Sequence, residues 1–166
     1  MVQFSFLKKE DFAALSAAIF SILAANMKEI APTGNSSAED YNAWFSAVKE
    51  GLKQDARKII LIHSNSDLIG FFQYYTNGNR LMMEEIQICR RWQGKGVFQS
   101  LYGFLIESLP PQISVVEAYA NKRNEKSKGI LRHLGLTAVG ENKKGDCYHF
   151  RGEFESLLKW YYCTKK

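Results

Sequence analysis

The segment Arg90-Arg91-Trp92-Gln93-Gly94-Lys95-Gly96-Val97-Phe98 constrains this chain more than any other, because it joins a strand pattern to a helix pattern through two closely spaced glycines. Residues 81–89 read as a strand, and Val97, Leu101, Phe104 and Leu105 recur at the spacing of one buried helix face. Glycine has no Cβ, so the backbone can turn tightly and aim successive N–H groups at one anion, with the positive end of the helix dipole behind them. Arg90, Arg91 and Lys95 add cationic side chains beside the turn. A phosphate group is the ligand this chemistry suits. Two common phosphate loops are excluded by spacing. A Walker loop ends in Gly-Lys-Ser/Thr, whereas Val97 follows Gly96. The dinucleotide fingerprint needs a third glycine where Gln99 stands.

Helix and strand patterns alternate along the rest of the chain without repeats or low-complexity linkers. A strand at residues 2–7 precedes a helix that begins at Phe12 and ends before Pro32. Phe12, Leu15, Ile19 and Ile22 recur at helical spacing, so the uncharged run 12–25 reads as a core helix, and it is too short for a bilayer span. Ser36 and Glu39 have capping-box spacing ahead of a second helix marked by Tyr41, Trp44, Phe45, Val48 and Leu52. Strands follow at 58–63 and 68–75, with turn chemistry at 64–67 and 76–79. Beyond the glycine loop and its helix, Pro110 and Pro111 act as a stop. A strand at 113–120, a helix opened by Asn124, strands at 137–139 and 147–151, and a terminal helix through Leu157 and Tyr161 complete the order.

At 166 residues and 46% hydrophobic, the chain is long enough for one core and short for two domains, so a single domain over 1–166 is expected. Cys89, Cys147 and Cys163 are too few and too scattered for a disulfide framework or a zinc site, which points to a reducing, cytoplasmic setting. His63, His133 and His149 show no metal-ligand spacing, and no metal is expected. The net charge of +5 admits nucleic acid, yet no nucleic-acid motif accompanies it, and a polyanionic small molecule would profit from the same field.

Arg91-Trp92-Gln93-Gly94-Lys95-Gly96 fits the pattern Arg/Gln-x-x-Gly-x-Gly/Ala. One strand later, residues 124–136 are similar to Asn-x-x-Ala-x-x-x-Tyr-x-x-x-Gly-Phe, with Asn124, Ser127 and Gly135 in register and Leu131 and Leu136 at the two aromatic positions. In these motifs, found in this order, the chain resembles the GNAT superfamily of acyl-CoA-dependent N-acyltransferases. The resemblance implies an α/β (α+β) fold, with a mixed, mostly antiparallel sheet of about seven strands splayed between the fourth and fifth and flanked by helices. It implies acetyl-CoA as co-substrate and an amine acceptor as the other partner, without membrane, for a monomer or homodimer. The pyrophosphate would rest on Gln93, Gly94, Lys95, Gly96, Val97 and Phe98, with Arg91 beside them. The pantetheine arm would pair with the backbone at Ile86 and Ile88, and Asn124 and Ser127 would contact the coenzyme from the other side of the cleft.

The implied reaction is direct attack of an amine on the acetyl thioester. A lysine-like amine with a pKa near about 10.4 must lose a proton first, whereas an α-amino group near about 8 needs less help. Glu84 and Glu85 lie on the fourth strand, where the superfamily often places a base, and strict alternation would send them to opposite faces. The tyrosine that usually protonates the departing thiolate is replaced by Leu131, and Tyr119 is the candidate substitute. A solvated strand pair for the glutamates and a packing role for Tyr119 are the structural alternatives. The missing tyrosine also leaves open a non-catalytic acyl-CoA-binding module of the same fold.

Overall fold

Strand β4 (Arg80–Ile88) carries the chain into the glycine loop, and the remaining strands order themselves around it. The computed structural model describes residues 1–165. Its other elements are β1 (Val2–Phe6), α1 (Phe12–Met27), α2 (Ser37–Gly51), β2 (Arg57–Ser64), β3 (Asp67–Asn77), α3 (Val97–Ser108), β5 (Val115–Asn121), α4 (Glu125–His133), β6 (Thr137–Glu141), β7 (Cys147–Glu153) and α5 (Phe154–Thr164). The strands form one mixed, seven-stranded sheet in the hydrogen-bonded order β1-β2-β3-β4-β5-β7-β6. The chain divides into two units, Met1–Tyr74 with Glu85–Phe98, and Tyr75–Glu84 with Gln99–Lys166. Three elements, β3, β4 and α3, pass from one unit into the other.

In the first unit, β1 runs antiparallel to β2 from Val2↔Ser64 to Phe6↔Ile60. Phe12, Ile19 and Ile22 project from one face of α1 and meet Val48 and Leu52 at the end of α2, Ile59 and Leu61 of β2, and Phe71 of β3 in one core. Each such side chain contributes roughly 1.5–3 kcal/mol when fully buried. Lys9–Met27 has the length and mean hydropathy of a membrane span. Within it, Phe12, Ile19 and Ile22, on one face, are buried in this core. Ser16, the polar residue on that face, donates to the Ala13 carbonyl at 2.8 Å and lies 2.7 Å from the Tyr41 hydroxyl. The capping box is present with both of its bonds: Glu39 N–H donates to Ser36 Oγ at 3.2 Å, and Ser36 N–H to Glu39 Oε2 at 2.8 Å. α1 ends earlier than Pro32 requires, in a turn where the N–H groups of Ile30 and Ala31 both donate to the Met27 carbonyl.

In the second unit, β5 pairs antiparallel with β7 over its whole length, and β6 lines the far side of β7 with all five residues exposed. β4 and β5 are parallel, and their ladder covers only Arg80↔Val115 to Met83↔Ala118. That early end is what a sheet splayed between its fourth and fifth strands requires. α3 buries Leu101, Tyr102 and Leu105, and the Tyr102 hydroxyl lies 3.2 Å from Met83 Sδ. α4 closes on Gly135 (φ 92°), with Leu136 N–H on the Leu131 carbonyl and Gly135 N–H on the Arg132 carbonyl, both at 3.0 Å. This pair of bonds is a Schellman closure, and both of its apolar members, Leu131 and Leu136, are buried.

Strand ends differ from the sequence expectation where turn chemistry sets them. β3 runs to Asn77 rather than stopping at Tyr75, because Gly78 (φ 59°) and Asn79 suffice as a two-residue hairpin turn. Gly70 marks the tightest approach along β3: a Cβ there would meet the Gln87 carbonyl oxygen at 2.6 Å. Gly70→Ala should therefore destabilise the protein by about 1–3 kcal/mol. Gly129→Ala, in α4 with open space around it, should stabilise it by about 0.5–1 kcal/mol. Urea unfolding of both variants checks the pair, and equal effects would contradict the packing described.

Candidate coenzyme and acyl-transfer site

After β4, a 3-10 turn at Arg90–Trp92 leads through residues 93–96 to α3. Gly94 (φ 73°) and Gly96 (φ 79°) are both left-handed, a conformation that costs other residues roughly 1–2 kcal/mol. A Cβ at either position would meet nothing within 4 Å, so backbone conformation and not crowding demands glycine. The loop is anchored from within. Trp92 N–H donates to the Cys89 carbonyl at 2.8 Å, Gln93 N–H to the Arg90 carbonyl at 3.2 Å, and Gln93 Nε2 to the Ile88 carbonyl at 2.9 Å. Gln93 thus serves as the loop's tether. The first N–H groups of α3, like those of any helix, have no acceptor one turn back within the helix.

The cations around the loop are held loosely. Arg91 lies 3.8 Å from Asp67, both exposed, and Lys95 Nζ stands 5.4 Å from the Trp92 ring centroid. Cys89, just before the turn, has its thiol pushed above the ordinary range by burial, with Arg91 only partly opposing that. It is therefore a poor source of thiolate.

The end of β4 holds a polar network that joins residues 61 and 62 positions apart. Asn26, near the end of α1, donates through Nδ2 to Gln87 Oε1 at 2.9 Å and to the Ile88 carbonyl at 3.0 Å. Gln87 Nε2 donates in turn to Glu85 Oε1 at 2.6 Å. Of the two glutamates on β4, Glu85 is thereby oriented within the first unit. Glu84 is half-buried at the end of the Tyr75–Glu84 segment of the second. Ile86 is half-buried and Ile88 buried.

The second unit holds Glu84, Tyr119, Asn124 and Ser127. Asn124 is the N-cap of α4, its Oδ1 accepting from Ser127 N–H at 3.0 Å. Lys128, one residue on, is buried and donates to the Lys122 carbonyl and to Glu125, which ties the start of α4 to the loop before it. Tyr119 is 45% exposed and stacks on His149, its cross-strand partner, with ring centroids 4.7 Å apart and planes 14° from parallel. Leu131 is buried in the closure of α4.

Sequence reasoning missed the charge beside Tyr119. Glu117, only 4% exposed, lies 3.4 Å from Arg80 Nη1, 3.5 Å from His149 Nε2 and 3.9 Å from Arg151 Nε. The signal was a lone acid between Val116 and Ala118, which a buried strand tolerates only when it is paired. Asn26 and Gln87 left no comparable mark, since nothing in their neighbours announces a bond across so many residues. Among the described residues, no group of three or more His, Cys, Asp or Glu side chains could hold a metal.

No protein-family model matches the chain, and no curated protein sequence is similar to it. Solved structures are similar in fold. An acetyltransferase from Thermus thermophilus superposes with a TM-score of 0.72 at 12% identity, covering 92% of this chain and 97% of the other. The PaiA N-acetyltransferase of Thermoplasma acidophilum, solved in complex with coenzyme A, gives 0.67 at 12% identity over 92% and 99%. A Desulfovibrio desulfuricans protein assigned to the GNAT family of acetyltransferases gives 0.67 at 15% identity over 92% and 99%. The chain therefore has the GNAT fold, with the mixed seven-stranded sheet that the resemblance implied, and its fourth and fifth strands are parallel.

Because Glu117 is the one acid facing Arg80, Arg151 and His149 among these four, Glu117→Gln should cost about 1–3 kcal/mol of stability. Urea unfolding measures this directly. An unchanged midpoint would mean that the charge on Glu117 contributes no net stability through these three pairs.

Proposed function

We propose that the protein is an acyl-CoA-dependent N-acyltransferase that moves an acetyl group from acetyl-CoA to a primary amine of a small molecule, peptide or protein. The observation that carries this is the passage from β4 through two left-handed glycines into α3, in a fold whose solved examples include a coenzyme A complex. Pyrophosphate rests on the N–H groups at the start of α3, with Arg91 and Lys95 adding to the field. Each helix-end charge interaction contributes roughly 0.3–1 kcal/mol, so several converging donors are needed. The pantetheine arm pairs with the backbone of β4 at Ile86 rather than at the Ile88 carbonyl, whose acceptor sites are already taken by Asn26 and Gln93. Asn124 and Ser127 are the further coenzyme contacts that the sequence motif assigns.

In this reading Glu85 is the proton acceptor for the amine, supported by its hydrogen bond from Gln87, with Glu84 on the same strand as the alternative. As the N–C bond forms and the C–S bond breaks, the thiolate leaves with its electron pair and takes a proton from solvent or from Tyr119. A thiol pKa of about 8.5 makes that departure easy without a strong acid. Three free cysteines suit a reducing compartment, and a cytoplasmic location goes with this reading. The second reading, a non-catalytic acyl-CoA-binding module, is favoured by one feature: the position of the usual tyrosine is occupied by Leu131, buried in the closure of α4.

Acetyl-CoA at about a hundred times its dissociation constant should stabilise the protein by roughly 2.7 kcal/mol. Gly96→Asp should abolish the effect by setting a carboxylate against the pyrophosphate. No shift in melting temperature, with protein free of co-purified coenzyme, would refute coenzyme binding. Incubation with acetyl-CoA and a panel of amines, read as free thiol, separates the enzyme from the binding module. In the enzyme, Glu85→Gln should lose about 100-fold or more in turnover while keeping coenzyme affinity.

A further inference from the structure

We propose that Asn26 and Gln87 are positioning residues of the transfer reaction, joining the coenzyme loop to the Glu85 carboxylate through the carbonyl oxygen of Ile88. The inference rests on the acyltransferase reading above and goes beyond it by assigning two residues that no motif marks.

Asn26 uses both hydrogens of its amide, one on Gln87 Oε1 at 2.9 Å and one on the Ile88 carbonyl at 3.0 Å. That assignment decides the orientation of Gln87. Its oxygen must face Asn26, so its Nε2 must face away, and it meets Glu85 Oε1 at 2.6 Å. Residues two apart on a strand share a face, which makes the contact between positions 85 and 87 direct. On the other side of the same carbonyl, Gln93 donates from the coenzyme loop at 2.9 Å. A single path of hydrogen bonds thus runs Gln93, Ile88, Asn26, Gln87, Glu85, entirely within the first unit.

Burial gives the path its stiffness. Gln87 is 8% exposed and Ile88 likewise 8%, so breaking the bonds of the Gln87 amide leaves a buried polar group unpaired. The Gln87 amide donates to the Glu85 carboxylate and holds it in one rotamer. Loop and carboxylate are therefore parts of one rigid assembly, so that the loop which seats the coenzyme also determines where the proton acceptor stands. A network that only stitched α1 to β4 would make the same bonds, and kinetics separates the two roles.

The test is a double-mutant cycle on the full chain. Wild type, Gln87→Met, Glu85→Gln and the double variant are compared for kcat and KM, read as thiol release from acetyl-CoA with the amine panel. Acetyl-CoA affinity is measured in parallel by calorimetry. Gln87→Met should lower kcat by about tenfold or more, since small misplacements of a reacting group cost up to about a hundredfold. Its acetyl-CoA affinity should stay within about threefold, the signature of an interaction made in the transition state. In the Glu85→Gln background the same substitution should change almost nothing, because its target is already gone. Asn26→Asp, which keeps size but removes both donors, should repeat the pattern if Gln87→Met does not fold. An unchanged kcat in Gln87→Met, or an equal loss with and without Glu85, would overturn the positioning role alone. A wild-type protein that binds acetyl-CoA but transfers to no amine would overturn the enzyme reading itself, and the positioning role with it.

Discussion

The carbonyl oxygen of Ile88 is the point on which this structure turns. It lies where β4 ends and the chain must leave the sheet for the glycine loop, and a buried carbonyl there cannot go without donors. Two side chains supply them, Asn26 from α1 and Gln93 from the loop itself. The ladder closes alongside, with Cys89 N–H on the Ile69 carbonyl at 2.8 Å, and Gly70 allows β3 to come close enough for that pairing. From this fixed end, two left-handed glycines turn the chain into α3. Replacing any member of the set would shift the loop, the end of β4, or both.

This arrangement also explains why the basic side chains near the loop are secondary. Arg91 and Asp67 are exposed and 3.8 Å apart, a pair of the kind that contributes about 0–1 kcal/mol and is screened by salt. Backbone donors are different, since they are held in place before any ligand arrives. In the proposed reading the chain can therefore lack a characteristic side chain, such as the tyrosine whose place Leu131 takes, and still bind the coenzyme. Leu131 has a structural use in its stead, because its carbonyl closes α4 on Leu136 and its side chain is buried with that residue.

Much of the fold was legible because local chemistry and tertiary role agree. The capping box at Ser36 and Glu39, the glycine stop at Gly135 and the glycines of the loop each perform the task their residue types suggest. Apolar spacing on α1 correctly marked Phe12, Ile19 and Ile22 for the core. Illegible were the relations that depend on packing between distant segments. Asn26 could have been any polar residue at a helix end, and Gln87 any polar residue of a strand. Glu117 looked like one more strand carboxylate until Arg80, His149 and Arg151 were brought around it by the β4–β5–β7 register. Alternation alone could not show that Gln87, two residues on, donates to Glu85.

Hydrogen exchange of the full chain with and without acetyl-CoA tests the central claim most directly, because the proposed ligand contacts are backbone N–H groups. The account predicts that acetyl-CoA slows exchange at the amides of residues 94–98 and at Ile86, against little change in β1, β2 and α2. Protection that spares the loop and falls elsewhere, or no protection at saturating acetyl-CoA, would contradict it.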